Sequence, residues 1–158
     1  MDTNTPVIRE LDSKGIPYRV FVHPGQLKSL EQAARERNQQ PEQVVRSIVF
    51  RISNRQFVMV LVAGPKQIAW QALRKYLGIS RISMANQDEV LTLTGYKRGA
   101  VSPLGLENPM RTLVDMSLFD QEEISIGSGQ QGLAVILKQT DLIKAIDEPE
   151  VVDVLGSE

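Results

Sequence analysis

Two glycine-rich segments form the densest chemistry-bearing pattern in this sequence. The first reads Thr94-Gly95-Tyr96-Lys97-Arg98-Gly99-Ala100-Val101-Ser102-Pro103-Leu104-Gly105; the second is Gly127-Ser128-Gly129, followed by Gly132. Between Gly95 and Gly132 fall six of the 11 glycines in the chain. Glycine permits positive φ and close backbone approach, so such segments can turn bare N–H groups toward a carbonyl oxygen or a phosphate. The terminal Gly-Lys-Ser/Thr of a P-loop and the spacing of a dinucleotide fingerprint are both absent. Taken alone, each segment reads first as a turn.

The side chains that usually carry catalysis are scarce. There is one histidine, His23, in Val22-His23-Pro24, and no cysteine. That excludes a thiol nucleophile, a disulfide framework and a cysteine zinc site, and it argues against a multi-histidine metal cluster. His23 by itself reads as a partly exposed residue at a strand end. The carboxylates are numerous but show no diagnostic pairing, so no metal and no cofactor is expected. Arg35, Arg37, Lys66, Arg74, Lys75, Lys97 and Arg98 read individually as solvated surface cations that could flank a pocket mouth. Trp70 reads as a packing anchor.

These residues must be held by interleaved helices and short strands. Val7, Ile8 and Leu11 share one helical face, closed by Gly15 and Pro17. Tyr18–Val22 is a short β-like run. Ser29 and Gln32 have capping-box spacing ahead of a helix that fades near Asn38, and Pro41 opens a turn. Ser47–Ile52 and Gln56–Ala63 are β-rich and joined by Ser53-Asn54-Arg55 as a hairpin loop. Ala69–Leu77 is helical with Gly78 as its stop, and Arg81–Met84 is a short strand. Asn86 and Glu89 repeat the cap-plus-acid spacing before a helix ending near Gly95. Strands are expected at Thr112–Asp115, Glu123–Ile126 and Leu133–Leu137, then a helix from Thr140 through Ile146. The interleaving is too irregular for a βαβ series, so the expected fold is α+β, a mixed and mostly antiparallel sheet with packed helices.

The 158 residues fit one domain, 1–158, with a core over about 7–146 and an acidic tail over 147–158. The longest apolar run, Phe57–Ala63, is far short of the roughly 20 residues of a membrane span, and the N-terminus lacks signal-peptide features. No membrane association and a cytoplasmic location are therefore expected. A net charge of −1 conceals an asymmetry: Met1–Arg111 holds 16 basic and 9 acidic residues (net +7), and Thr112–Glu158 holds 2 and 10 (net −8). That excludes a uniformly polybasic protein but not a basic rim on one face.

The first glycine segment resembles the signature loop of the YbaK/EbsC family, the prolyl-tRNA-synthetase-associated domain. Gln43-Val44-Val45-Arg46-Ser47-Ile48-Val49-Phe50 is similar to that family's early strand. Gly127-Ser128-Gly129…Gly132 and Thr140-Asp141-Leu142 fall at its later loop and last helix. The resemblance implies a trans-acting deacylase that hydrolyses the ester of misacylated tRNA, Cys- or Ala-tRNA(Pro)-like, with tRNA as partner and prolyl-tRNA synthetase as a candidate partner. Such an ester is already activated, so backbone N–H donors at the developing oxyanion could suffice, with water or a substrate hydroxyl as nucleophile. Carried over, Arg46, Gly99, Ser102, Pro103 and Gly105 would be catalytic. His23, Ala100, Val101, Gly127, Ser128, Gly129 and Asp141 would bind substrate, with the second glycine segment on the wall opposite the first. Asp141 is equally explained by charge stabilisation of a helix N-terminus.

The resemblance departs from the family at two positions. Arg46 stands where active members usually carry Lys, and a guanidinium has a different reach from an ammonium. The alternative is therefore a non-catalytic paralogue that binds tRNA or an aminoacyl ligand. Ala100 stands where many members have glycine, which would strain a positive-φ backbone. A third reading is an interaction module whose acidic C-terminal segment docks on a basic partner.

Overall fold

The structure, a computed structural model, describes residues 1–53 and 55–156. Asn54, in the expected hairpin loop, lies outside the described residues.

Helix starts follow the capping chemistry. α1 (Pro6–Ser13) begins with Thr5 Oγ1 accepting from Ile8 N–H, has proline in its first turn and buries Val7, Ile8 and Leu11. After β1 (Arg19–Val22), α2 (Leu30–Glu36) is capped by Ser29 and buries Ala33 and Ala34. The Gln32 carboxamide accepts from Lys28 N–H at 2.8 Å, one residue earlier than a reciprocal box requires. A 3₁₀ turn at Pro41–Gln43 leads into β2 (Val45–Ser53) and β3 (Gln56–Ala63). α3 (Trp70–Leu77) stops at Gly78, where φ is +70°. β4 (Ser83–Met84) precedes α4 (Gln87–Thr94), which carries a full Asn86–Glu89 capping box. β5 (Thr112–Asp115), a 3₁₀ turn at Met116–Asp120, β6 (Glu123–Gly127), β7 (Leu133–Lys138), α5 (Gln139–Ala145) and β8 (Glu150–Val152) complete the chain.

The strands form two sheets, ordered β1-β7-β6 and β4-β2-β3-β5-β8. The first is antiparallel throughout; in the second, β4, β2 and β3 are antiparallel, whereas β3–β5 and β5–β8 are parallel. An isolated parallel bridge, Val44↔Ser125, joins them. This is the expected α+β architecture.

Strand alternation divides the larger sheet between two cores. Val45, Val49, Met59, Leu61 and Val114 face the smaller sheet, with α1 and α5 packed into the same cluster. Phe50, Val58, Val60, Val62 and Leu113 face the other way, against Leu73 of α3. β3 is thus buried on both faces, which is why Phe57–Ala63 reads as an unbroken apolar run. Trp70 packs edge-on against Phe50, ring centroids 5.3 Å apart.

Of the segment read as an acidic tail, Glu150–Val154 belongs to the second core, and the boundary at residue 146 is corrected accordingly; Ser157 and Glu158 lie outside the described residues. β8 pairs with β5, and Val152 and Val154 are buried. Val154 N–H donates to Asp115 Oδ1 at 2.8 Å, while its carbonyl accepts from Ala69 N–H at 2.7 Å. Asp153 alternates with the buried Val152 and Val154, and Glu150 accepts from the Arg111 guanidinium.

The two glycine segments stand side by side rather than on opposite walls. Gly129 N–H donates to the Ala100 carbonyl at 2.9 Å. A methyl at Gly127 would overlap the Val101 carbonyl oxygen and lie 2.9 Å from the Ala100 carbonyl carbon. Gly105, at φ +68°, is seated on α1: a methyl there would meet Tyr96 Oη at 2.5 Å and the Pro6 carbonyl carbon at 2.6 Å, and Gly105 N–H donates to Glu10 Oε1 at 2.6 Å. Tyr96 Oη shares its proton between the Leu104 and Gly105 carbonyls. Burial, with a smaller contribution from Glu10, pushes Tyr96 up to about 12, so the phenol stays a donor. Ala100 is absent from the positive-φ residues, so it adopts its conformation without the expected strain.

Truncation after Ile146 should therefore lower the stability of the domain by at least about 3 kcal/mol through loss of two buried valines alone; urea unfolding of the shortened chain measures this. Gly127→Ala should drive the two segments apart and lower stability by about 1–3 kcal/mol through overpacking, read by the same titration.

Candidate active site

A cleft of about 770 Å³ opens beside β2. Its walls are α2 with its C-cap residue (Leu30, Ala33, Arg37), the chain from Val44 to Val49, the segment entering α4, Arg98, Gly99 and Val101 of the first glycine segment, and Ile126, Gly127 and Leu133. The floor is apolar, and the lining contains Arg37, Arg46 and Arg98 but no Asp or Glu among the described residues. A cleft of this composition suits an anionic ligand carrying a small organic group.

Arg46 lies on the cleft, but its guanidinium is partly engaged. On β2 its side chain alternates with Val45 and Ser47, so it leaves the strand on the face away from the core between the sheets. Nε–H donates to the Gly64 carbonyl at 2.9 Å and Nη2 to the Lys66 carbonyl. Burial lowers its pKa from the ordinary arginine value. A lysine could not reproduce this two-carbonyl brace with the same planar geometry.

Arg37 and Arg98, read from the sequence as surface cations that could flank a pocket mouth, both line the cleft, and Arg37 is built into it. Its Nε–H donates to His23 Nε2 at 3.0 Å and Nη1 to Ser125 Oγ at 2.8 Å. Arginine only donates, so His23 Nε2 must accept and the imidazole proton sits on Nδ1, which donates to Glu36 Oε1 at 2.6 Å. His23 is therefore a neutral relay that aims Arg37. It is buried, not partly exposed at a strand end, and packs edge-on against Phe21. The His23 and Gln32 hydrogen bonds hold Glu36 below the usual carboxylate range. Burial, offset in part by Glu36, brings Arg37 down to about 10, so it stays charged at neutral pH. Nη2 of Arg37 has no protein acceptor among the described residues, which leaves it for a ligand.

The first glycine segment supplies the other polar wall. Gly99 has φ +83° and open space where a side chain would be. Among the described residues the N–H groups of Gly99 and Val101 donate to no internal acceptor, whereas Ala100 N–H closes a turn on the Lys97 carbonyl at 2.9 Å. Two unspent backbone donors at a cleft wall are the elements of an oxyanion site.

Of the residues expected at the site, Arg46, Gly99, Val101 and Gly127 line the cleft. The others do not reach its surface. Ser102 is fully buried, its hydroxyl accepting from Leu104 N–H at 3.2 Å. Pro103 lines a separate cavity of about 340 Å³ beside Glu10 and Lys14. Gly105 is the seat of α1, and Ala100 is buried in the contact with Gly129. Ser128 is buried, donating to the Leu133 carbonyl at 2.6 Å, and Gly129 packs on Tyr96. Asp141 sits in the first turn of α5, where it complements the helix N-terminus. His23 acts through Arg37. Arg37 carried one legible signal, its place one turn after the buried Ala33 of α2, but its partners His23 and Ser125 come from elsewhere in the chain. Among the described residues no three of His, Asp and Glu come together as metal ligands, and no helix is long and apolar enough to cross a membrane.

Comparison with known proteins agrees with the resemblance noted in the sequence. The aminoacyl-tRNA editing domain matches residues 23–145. The multifunctional Ser/Thr-tRNA deacylase ProXp-y of Escherichia coli strain K12 is 28% identical over 155 residues, covering 96% of this chain and 92% of that protein. A proline–tRNA ligase of Staphylococcus saprophyticus is 30% identical over 91 residues, 58% of this chain and 16% of the ligase. In fold, the chain is similar to a crystal structure of a candidate trans-editing enzyme for prolyl tRNA synthetase, with TM-score 0.85 at 23% identity over 96% of each chain. The matched span takes in every wall of the cleft, and the chain belongs to the aminoacyl-tRNA editing domain family.

Proposed function

We propose that this protein is a trans-acting editing deacylase that hydrolyses the ester linking a small, wrongly attached amino acid to tRNA. The observation that carries this reading is a cleft with three arginines and, among the described residues, no carboxylate and two unspent backbone N–H donors on one wall. The arginines suit the phosphates of a tRNA acceptor end. The N–H groups of Gly99 and Val101 suit the oxyanion that develops as the nucleophile adds to the ester carbonyl and the ribose oxygen departs with its proton: a water gives the free acid directly, and a substrate hydroxyl gives a cyclic ester that a water then opens. No side-chain nucleophile is required, in keeping with the absence of cysteine and the engagement of the only histidine.

Cysteine and alanine on tRNA(Pro) are the substrates proposed first. Serine and threonine join them because the Escherichia coli relative is named for Ser/Thr-tRNA. Prolyl-tRNA synthetase is proposed as the enzyme whose errors are corrected. A second reading, binding without turnover, is favoured by one observation: Arg46 spends two donors on the Gly64 and Lys66 carbonyls. It calls for salt-sensitive tRNA binding with no hydrolysis.

Incubation with Cys-, Ala-, Ser-, Thr- and Pro-charged tRNA should show hydrolysis of at least one small misacylated species, with Pro-tRNA(Pro) spared. Rates equal to spontaneous hydrolysis for all of them would favour the binder. Arg46→Ala should lower kcat/KM by roughly 10- to 100-fold, the loss expected for one charged hydrogen-bonding group. Arg37→Ala should lower both turnover and stability, the latter by about 1–3 kcal/mol, because His23 Nε2 and Ser125 Oγ lose their donor; wild-type values in both assays would remove Arg37 from the site.

A further inference from the structure

We infer that the outer edge of β2 at Ser47 receives the aminoacyl group as if it were a one-residue strand, an inference that rests on the deacylase function proposed above. The Ser47 carbonyl accepts from the α-ammonium, and Ser47 N–H donates to the carbonyl oxygen of the bound ester, to which the Gly99 and Val101 N–H groups add as charge develops on it.

The ladder shows which way these groups point. Gly64 N–H donates to the Val44 carbonyl on the β3 side, and Ala85 N–H donates to the Val49 carbonyl on the other, each at 2.9 Å. In an antiparallel ladder the bonding side alternates residue by residue. Even-numbered residues of β2 therefore bond to β3, while Val45, Ser47 and Val49 turn their amides outward. On the outer side β4 reaches only Phe50 and Arg51, and the bridge to Ser125 lies at Val44. The N–H and C=O of Ser47 fall between these two contacts, without a strand partner among the described residues.

One further observation places this gap in the cleft, and a second shows that Ser47 is short of hydrogen-bond partners. Every residue from Val44 to Val49 lines it. Side chains alternate between the faces of a strand, so an unbroken run of lining residues means that the backbone edge itself faces the cleft. The Ser47 hydroxyl is also buried with no hydrogen-bond partner.

The chemistry of the substrate supplies the complement. An amino acid ester carries a donor nitrogen and an acceptor carbonyl on either side of one Cα, the spacing of a residue in a strand, and two strand residues that face each other exchange two N–H···O bonds. Among the described residues the cleft offers no carboxylate to the α-ammonium, so a neutral acceptor takes it, and the Ser47 carbonyl is one that no strand has claimed. Docking in this way reads what all amino acids share and leaves their side chains to the walls.

The test compares an aminoacyl-tRNA that the protein turns over with its des-amino counterpart, propionyl for alanyl or 3-hydroxypropionyl for seryl, each corrected for its own spontaneous hydrolysis. The expected result is a roughly 10- to 100-fold lower enzymatic rate for the des-amino ester. Ser47→Pro removes the outward N–H while leaving the β3 ladder intact, as proline is tolerated on an open edge, and should cost activity to a similar extent. Equal corrected rates for the two esters overturn the docking mode while the deacylase reading stands. A folded Ser47→Pro protein with unaltered kinetics does the same; if that variant fails to fold, the ester comparison decides. No turnover of any aminoacyl-tRNA overturns both.

Discussion

β2 is hydrogen-bonded to β3 along nearly its whole length on one side, and on the other only near its ends. That unequal pairing organises the molecule. It lets one strand belong to the large sheet while Val44, the residue just before it, bridges to the small one, and the interval between the two contacts becomes the cleft. A strand interior normally satisfies both rows of backbone groups. Here one row is withheld, and α2, the entry to α4 and the first glycine segment gather around the gap.

The charge arrangement follows from the same geometry. Three arginines beside an apolar floor would ordinarily recruit carboxylates to offset their desolvation. Arg46 instead leans on two backbone carbonyls and Arg37 on a neutral imidazole and a hydroxyl. Neutral acceptors orient the guanidinium groups without cancelling their field, so the positive potential in the cleft remains for a ligand. The one carboxylate in the relay, Glu36, stands behind His23 rather than in the cleft lining.

Local features of the sequence were legible because their causes are local. Ser29, Asn86, Gly78 and Gly95 act within a few residues of themselves, and the helices they bound came out within a turn of expectation. The apolar strands were equally plain. What failed was direction. A glycine loop shows that the backbone turns sharply but not which members face a cleft and which seat a neighbour: Gly99 opens on the cleft, whereas Gly105 is the socket for α1. That distinction depends on packing between residues almost a hundred positions apart. β8 was missed for a related reason, since a three-residue strand among acids has too little periodicity to register before its partner β5 is known. Arg37 resembled any other basic residue on an amphipathic helix until His23 and Ser125 were brought to it.

The far edge of the large sheet bears on how the domain assembles. β2 and β3 are neighbours in sequence, so their pairing closes a very short loop. β5 and β8 add in parallel only after long crossovers, and such pairings are slow because most of the chain must be brought together before any contact rewards it. The half of the sheet that bears the cleft can thus take shape early, while the half that seals the second core zips last. During synthesis or refolding, α3 can cover the outer face of β3 early, whereas Leu113 and the open edge of β5 wait for β8 and are the surface most in need of protection from aggregation until Val152 and Val154 arrive.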